Sequence, residues 1–512
     1  MNSKGARRWW ALAAITLGVL AVGLDVTVLS VALPTLAVAL KASESDLQWF
    51  SSGYALTLAA GMLPAGVLGD RFGRKRVLIG ALVLFGAGSV ACAFALNSAQ
   101  FIAGRLLLGV AGAAIVVMAL SVMTVLFSED ERPRAVGIWA AANFLALPIG
   151  PIFGGWLLTN FWWGWIFLMN VPVAAVGLIA VLPLVPESRA SERPAIDPAG
   201  MLLASGGLAG VTYGLIELGR NGWTDPASLA ILAVGILVIV GFFRWERYLT
   251  GRPGGRPLID LTLFRSRGFT WGMILAALGG LALIGLVFTI PQYSQGVLGL
   301  DPQASGVRLL PIIVGLILGA VPADRIADRI GAKITVATGF AVTTAGLLVG
   351  ATTSLDSSPW FVAGWMTLVG FGMGIGFATA ASAALKTVPS DQSGVASALL
   401  QAMQKVGAPF GSAILGSVLA TVYRSQLDLS GLPASVADAV RRSLFAGVAV
   451  AGKLHSPPLL ESVRHAFVQG MDAALLVSAA TAAIAIVLAL IFLPGPTRQE
   501  AHEASPSVEN VA

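Results

Sequence analysis

The chain has 512 residues, of which 56% are hydrophobic and only 11% are charged. A soluble domain is about 25% charged, so the composition excludes a soluble enzyme, a disordered chain and a nucleic-acid-binding protein. The net charge of +6 does not indicate a nucleic-acid partner, because the basic residues fall in loops between apolar runs. We therefore expect the partner of most of this surface to be a lipid bilayer.

Few residues are suited to cofactor or metal chemistry. Cys92 is the one cysteine, which excludes an intramolecular disulfide and a cysteine metal cluster. The three histidines lie outside the apolar runs, and no G-x-x-x-x-G-K-[S/T] phosphate loop occurs. We predict no cofactor, no metal and no enzyme activity, and an ion gradient as the energy source.

Fourteen apolar runs reach or approach the roughly 20 residues that a helix needs to cross a bilayer. The first follows Arg7 and Arg8 and is too long for a signal peptide, so it is interpreted as an uncleaved span. The runs cover residues 9–33, 47–69, 77–97, 99–127, 135–158, 163–185, 199–219, 227–245, 269–291, 306–326, 334–354, 359–385, 396–423 and 471–493.

The distribution of Lys and Arg predicts the orientation. Most of the 32 basic residues fall on one side of the membrane when the N-terminus is placed inside. Cytoplasmic loops carry an excess of Lys and Arg, and an even number of spans returns the chain to the same side. We expect a multi-pass protein of the cell (inner or plasma) membrane with both termini in the cytoplasm.

Segments of the first half recur in the second half about 258 residues later. DRFGRK at Asp70–Lys75 returns as DRIGAK at Asp328–Lys333, and FIAGRLLLGVAG from Phe101 returns as FVAGWMTLVGFG from Phe361. Eight spans separate the copies, and the even number makes the repeats parallel. Two halves of six spans leave two extra spans between them, the seventh and the eighth.

The motifs resemble those of the major facilitator superfamily and, more narrowly, of its fourteen-span drug:proton antiporters of the QacA/EmrB type. The resemblance rests on LDVTVLSVALP (Leu24–Pro34), GVLGDRFGRK (Gly66–Lys75), RLLLGVAGAA (Arg105–Ala114), GPIFGG (Gly150–Gly155) and IDPAG (Ile196–Gly200). The chain departs from the family pattern at Ala146, Pro148, Gly164, Gln404 and Lys405.

The resemblance implies an all-α integral membrane protein of the major facilitator fold, with two six-helix bundles and two extra central helices. The predicted divisions are an N-terminal bundle at 1–198, a two-span insert with a cytoplasmic loop at 199–268, a C-terminal bundle at 269–493 with a long outer loop at 424–470, and a cytoplasmic tail at 494–512. A monomer is expected.

Asp25 is the main candidate for coupling. Charged side chains in the hydrocarbon are costly, so their default interpretation is functional. Asp25 lies in the first span, nine residues before Pro34. At about 1.5 Å per residue this distance is about 14 Å, which is close to mid-membrane. We predict that it carries the proton or recognises a cation. The alternative is a structural pair with a neighbouring helix.

Two further charged residues are candidates. Arg105 in the fourth span has the uncharged Trp365 as its repeat equivalent. The family resemblance implies a role in proton coupling, and the alternative is an arginine that snorkels to the outer interface. Asp324 lies one turn before Asp328, where we hypothesise a role in cation binding or proton release. An ordinary interfacial acid is the alternative.

Two motifs predict segments that move during transport. A cytoplasmic gating motif comprises Gly66, Asp70, Arg71, Gly73, Arg74 and Lys75, with Arg134 as a candidate ion-pair partner of Asp70. The resemblance implies that this motif locks one conformation without touching substrate. The fifth span carries an antiporter hinge motif of Gly137, Gly150, Pro151, Gly154 and Gly155, whose small residues permit close helix approach. The alternative for this motif is plain helix packing.

Three aromatic residues are candidates for stacking on cationic substrates in a central cavity: Trp49, Tyr54 and Trp365. Each is also a candidate for the core or the lipid interface.

The sequence predicts a proton-coupled multidrug antiporter that exports small amphipathic, cationic compounds by alternating access. A dedicated exporter of one metabolite or antibiotic remains open as the alternative. An importer is disfavoured because the family resemblance implies that the hinge motif is typical of antiporters. A membrane enzyme or sensor is disfavoured because no nucleophile–base pair or metal cluster lies in the spans.

Overall fold

A computed structural model describes residues 3–127, 131–189, 197–252, 257–258, 261–386 and 393–494. The structure is helical throughout this part of the chain, with no strand in it. The helices before residue 251 are α1 (Ser3–Ala39), α2 (Glu44–Phe72), α3 (Arg74–Ala93), α4 (Ser98–Leu126), α5 (Arg132–Asn160), α6 (Trp165–Leu168), α7 (Asn170–Leu184), α8 (Pro198–Asn221) and α9 (Pro226–Thr250).

The second part of the chain repeats this helical plan. Its helices are α10 (Arg267–Gln292), α11 (Pro302–Val307), α12 (Leu310–Ile330), α13 (Ala332–Gly350), α14 (Pro359–Lys386), α15 (Ser393–Gln426), α16 (Ala434–Arg442), α17 (Leu444–Lys453) and α18 (Pro457–Phe492). A 3₁₀ turn at Leu261–Arg265 precedes α10, and a π-helical segment at Tyr293–Val297 follows it.

Every predicted apolar run falls on a helix, but the span count of fourteen is not confirmed. Within the described ranges, 11 helices are long and apolar enough to cross a membrane, and 12 when α2, bent by 47° near Pro64, is counted as one span. Proline removes a backbone hydrogen bond, which explains the bend. The helices α5 and α15 occupy the remaining two runs, and their crossing stays a prediction.

Local sequence chemistry sets several helix boundaries. Ser43 and Asp46 form a capping box at the start of α2, so this helix begins three residues before the predicted run. Gly73 (φ 112°) and Gly331 (φ 84°) turn the chain between α2 and α3 and between α12 and α13. Glycine adopts this region without a steric cost, and the two glycines occupy the same place in the repeated DRFGRK and DRIGAK motifs.

The end of the bundle that carries Arg8, Arg74 and Lys75 is called the inner end, because the charge distribution predicts that it faces the cytoplasm. The opposite end is called the outer end. An ion pair at the inner end joins Arg8 at the start of α1 to Glu131 before α5 at 2.6 Å. The N-caps Asn97 and Asp225 begin α4 and α9 at the outer end.

The helices pack in two groups. In the first, α1 packs on α5 and α7, while α4 packs on α2 and α3. In the second, α14 packs on α12 and α13, and α15 packs on α10 and α18. Helices α8 and α9 pack on each other, and α8 also packs on both α2 and α15, so the extra pair contacts both groups.

The groups meet toward the outer end. Helix α2 packs along α15, and α11 packs on α5. Gly155 of α5 lies directly against Pro302 and Gln303, and Gly306 lies against the carbonyl of Pro151. The side chain of Gln295 donates to the Val31 carbonyl of α1 at 2.9 Å. In this conformation the outer end is closed.

Candidate functional site

The two charged residues predicted in the first half form one buried pair. Arg105 of α4 donates through a terminal nitrogen to Oδ2 of Asp25 in α1, and their side chains are 1% and 0% exposed. Both charges therefore sit in a low-dielectric interior, where only good geometry and additional hydrogen bonds offset the loss of water. The geometry therefore contradicts the alternative in which Arg105 snorkels to the outer interface.

Arg105 has two further contacts from α2. Its Nε donates to the Phe50 carbonyl at 3.0 Å. Its guanidinium lies over the Tyr54 ring at 4.2 Å from the ring centre, within the range of a cation–π interaction. The Tyr54 hydroxyl in turn donates to the Val22 carbonyl of α1 at 3.4 Å. Three helices thus fix the position of one guanidinium.

Asn170 completes the site and was missed by sequence reasoning. Its side-chain amide donates to Oδ1 of Asp25 at 3.2 Å, and the residue is 1% exposed. Asn170 is the first residue of α7, with Met169 between it and the end of α6. The available signal was a single asparagine inside an apolar run, which is uncharged and so did not stand out among the candidate residues.

A small cavity lies beside Arg105, between the two helix groups. It has a volume of about 40 Å³ for the centres of water molecules, which is room for a few waters. Its lining includes Ser30, Ser51, Tyr54 and Arg105 from the first group and Phe288 of α10 from the second. A water-sized space with a mainly apolar lining and a few polar groups therefore adjoins the buried ion pair.

The hinge motif of α5 packs on α1 next to Asp25. A Cβ on Gly150 would lie 2.7 Å from Cβ of Thr27, and one on Gly154 would lie 2.6 Å from a methyl group of Val28. The Thr27 hydroxyl is also 3.0 Å from the Ala146 carbonyl. The glycines thus bring α5 close to the segment of α1 that follows Asp25.

The gating motif at the inner end makes its described contacts within the first group. Arg74 pairs with Asp70 one turn earlier at 2.9 Å and donates to the Ser121 carbonyl at 3.3 Å. Glu187, after α7, lies against Gly73, accepts from the backbone of Lys75 at 3.3 Å and pairs with Arg76 at 3.6 Å. Glu187 was not among the predicted residues.

The remaining candidates lie apart from the pair. Asp324 is exposed on the second half of α12. Trp365 is buried against Gly350 of α13, and the ring of Trp49 lies 5.9 Å from that of Tyr213 in α8. Of the three predicted cavity aromatics, Tyr54 lines the cavity described above. Gly137 and Arg134 lie on α5, and Gln404 and Lys405 lie on α15, but the surroundings of these four residues are outside what the structure describes.

One buried acid and one half-buried acid were missed because the predicted runs began too late. Glu44 is 2% exposed and starts α2, whereas the run was placed from residue 47. Asp472 stands at the edge of the last predicted run, but α18 begins at Pro457 and carries it well inside the helix. One carboxylate oxygen of Asp472 is buried without a hydrogen-bond partner in the described part of the chain.

Replacing Asn170 with alanine is expected to lower the free energy of unfolding by about 1.5–3 kcal/mol, the range for a hydrogen bond to a charged group. Thermal unfolding of the purified protein in detergent measures this. The matched control is Asn160→Ala, since Asn160 is exposed and caps a carbonyl of α5. Equal losses for the two variants would show that Asn170 does not hold Asp25.

Sequence relatives match this chain over nearly its whole length. The family model of the Major Facilitator Superfamily matches residues 15–426. The tetracenomycin C resistance and export protein of Streptomyces glaucescens is 32% identical, with 98% of this chain and 94% of that protein covered. The multidrug efflux pump LfrA of Mycolicibacterium smegmatis is also 32% identical, with 94% and 96% covered.

Solved structures with little sequence similarity share the fold. A bacterial homologue of the lysosomal transporter Spinster, in an inward-facing and unoccupied conformation, has a TM-score of 0.66 at 17% identity, covering 96% of this chain and 99% of that one. A D-xylose–proton symporter has a TM-score of 0.60 at 15% identity, covering 95% and 98%. By its sequence motifs, its helical plan and these comparisons, the chain belongs to the major facilitator superfamily.

Proposed function

We propose that this protein exports small amphipathic, cationic compounds in exchange for protons. The observation that carries the proposal is the Asp25–Arg105 pair, buried mid-span beside a water-sized cavity at the contact between the helix groups. The named relatives, an antibiotic export protein and a multidrug efflux pump, support export of drug-like molecules. The methyl viologen resistance protein of Salmonella typhimurium, 31% identical, supports a cationic substrate.

The pair suggests how a proton is coupled to movement. A proton on Asp25 removes the negative charge that holds Arg105. Of its described partners, the guanidinium then keeps the Phe50 carbonyl and the Tyr54 ring. Because burying an unpaired charge is costly, α4 and α1 rearrange when Asp25 is neutralised. A substrate cation near Asp25 competes with both the proton and Arg105 for the same carboxylate.

We further propose that the groups 1–198 and 269–493 are bundles that rock against each other, with 199–268 as an insert. The protein then lies in the cell (inner or plasma) membrane with both termini in the cytoplasm. The closed outer end is then one state of an alternating-access cycle. The arrangement of α8 against both α2 and α15 supports an insert that follows this movement.

The test uses purified protein in liposomes that contain a trapped pH dye, with a proton gradient directed into the liposomes. Cationic dyes and disinfectants are expected to trigger proton movement with the wild type and not with Asp25→Asn. Asp438→Asn is the matched control, because Asp438 is exposed on α16, and Asp324→Asn tests the predicted release role. A wild type that moves no protons with any cation would contradict the proposal.

A dedicated exporter of one compound is the second candidate, supported by the tetracenomycin C export protein among the relatives. The breadth of the resistance that the gene confers on a pump-deficient host separates the two. Resistance to several unrelated cations supports the multidrug function, and resistance to one compound supports the second candidate.

A further inference from the structure

A polar seam closes the outer end between α2 and the second helix group. It consists of Glu44, Gln48 and Ser52 of α2, Ser412 and Ser417 of α15, and Gln292 of α10. The α2 residues are four apart, so they lie on one face of that helix. The Ser52 and Ser412 hydroxyls are 2.5 Å apart, and Ser417 lies 3.3 Å from the side-chain carbonyl of Gln48.

Glu44 supplies the carboxyl group of this seam. The Gln292 amide donates to its Oε1 at 3.4 Å, and the two residues are 2% and 0% exposed. The seam lies above the cavity that adjoins Arg105, since Ser51 in the cavity lining is seven residues, or about 10 Å, further along α2. A carboxyl group therefore sits at the outer entrance to the predicted coupling site.

The amide of Gln292 is only half satisfied. Its nitrogen donates to Glu44 and to the Phe288 carbonyl at 3.3 Å, but its oxygen is buried with no donor in the described part of the chain. A buried acceptor without a donor costs free energy. A carboxylic acid next to an amide offers an O–H to that oxygen, whereas a carboxylate offers none.

The groups around Glu44 do not neutralise a carboxylate directly. Glu44 forms no ion pair in the part of the chain described. Arg424 of α15, whose field reaches Glu44, donates to the Gly219 carbonyl at 3.0 Å, and Tyr423 beside it donates to the Val440 carbonyl at 3.0 Å. From α8, Glu217 accepts from Asn221 at 3.1 Å.

In the part of the chain that the structure describes, the other helices that pack on α2 (α1, α3 and α4) place no cation at the seam. Asp25 of α1 and Arg105 of α4 are paired with each other, and Arg74 of α3 lies at the inner end with Asp70. Gln292 is thus the hydrogen-bonding partner of Glu44 in the closed seam.

We propose that Glu44 is a proton-binding residue of the outer gate, and that the seam closes when Glu44 is protonated. In an outward-open state the carboxyl group meets the external solution and is ionised or protonated according to its pH. Closing the seam on a carboxylate costs desolvation and leaves the Gln292 oxygen without a donor. Closing it on a carboxylic acid avoids both costs.

The inference rests on the proposed function in one respect, which is that the protein alternates between outward-open and inward-open states. Under that cycle an acidic exterior favours return to the inward-facing state, the direction that an antiporter driven by inward protons needs. Glu44 then acts in addition to Asp25, on a different helix and nearer to the outer end.

The experiment measures the opening of the seam from outside. A cysteine reporter, Ser51→Cys, is placed in the cavity lining in a Cys92→Ala background and labelled in intact cells with a membrane-impermeant maleimide. The labelling rate is measured with Glu44 and with Glu44→Gln at several external pH values. The ratio of the two rates cancels the pH dependence of the thiol itself.

We expect the ratio of the parent rate to the Glu44→Gln rate to be near one in acid and to rise about tenfold between about pH 5 and about pH 8, because one proton separates the two seam states. Glu44→Asp keeps a titratable group, and its ratio to Glu44→Gln should also rise with pH. Glu461→Gln, which removes an exposed outer carboxylate, should label like the parent. Equal labelling of the parent and Glu44→Gln in acid shows that the variant is folded.

A ratio that stays near one at every pH would overturn the proposal. The proposal would also fail if Glu461→Gln lost the pH dependence of labelling to the same extent as Glu44→Gln. This readout needs no substrate. A flat ratio together with proton movement in the liposome assay contradicts the Glu44 inference alone, and a rising ratio without proton movement contradicts the proposed function alone.

Discussion

Replacing Arg105 with leucine is expected to lower the free energy of unfolding by about 3–5 kcal/mol, the cost of removing one partner of a buried ion pair. The variant leaves Asp25 buried with only the Asn170 amide as a donor among its described partners. Asp25→Asn leaves Arg105 with the Phe50 carbonyl and the Tyr54 ring. Thermal unfolding in detergent measures both losses.

The double variant Asp25→Asn/Arg105→Leu is expected to be more stable than Arg105→Leu, because neither buried charge then remains unpaired. Proton movement by the double variant distinguishes a structural role of the pair from a role in proton coupling. If the pair only holds helices together, the double variant should recover substrate-triggered proton movement along with stability. If the pair couples the proton, stability should return and proton movement should remain absent.

Gly155→Ala is expected to prevent full closure of the outer end. A Cβ there would lie 2.6 Å from the Pro302 carbonyl oxygen and 2.7 Å from Cα of Gln303. These are backbone atoms of another helix, so α5 and α11 must separate. We expect labelling of the Ser51→Cys reporter from outside to rise about tenfold and efflux to fall by a similar factor, which corresponds to a population shift of about 1.4 kcal/mol.

Gly80→Ala is the matched control for this change, since nothing lies within 4 Å of a Cβ at Gly80 in α3. Alanine in place of an unneeded helix glycine is expected to stabilise by about 0.5–1 kcal/mol. Wild-type labelling and efflux in both glycine variants would contradict the role of the α5–α11 contact in closing the outer end.

The hinge motif therefore has two packing faces that sequence reasoning did not separate. Gly150 and Gly154 face α1 beside Thr27 and Val28, and Gly155 faces α11 in the other helix group. A substitution at Gly150 should disturb the surroundings of Asp25, and one at Gly155 should disturb the outer closure. The spacing of the motif predicts a small-residue face, but only packing shows which neighbour each glycine meets.

By itself the sequence determined the class of protein, the helical runs and the family, and it predicted Asp25 and Arg105 as candidate residues for coupling. The class and the runs follow from composition and apolar run length, and the two candidates from the cost of charge in hydrocarbon. The family follows from the resemblance of the quoted motifs. The predicted helix starts were less reliable. Ser43 and Asp46 form a cap that carries α2 back to Glu44, and caps depend on a few polar atoms that a hydropathy pattern does not register.

Only the tertiary structure decided that Asp25 and Arg105, 80 residues apart, are one pair, that Asn170 supports it, and that Glu44 meets Gln292 across 248 residues. It also separated Tyr54, which lies on Arg105, from Trp365, which packs against Gly350. Partners of this kind lie on different helices, and the rotation of each helix about its own axis is set by side-chain packing rather than by the length or hydropathy of its run.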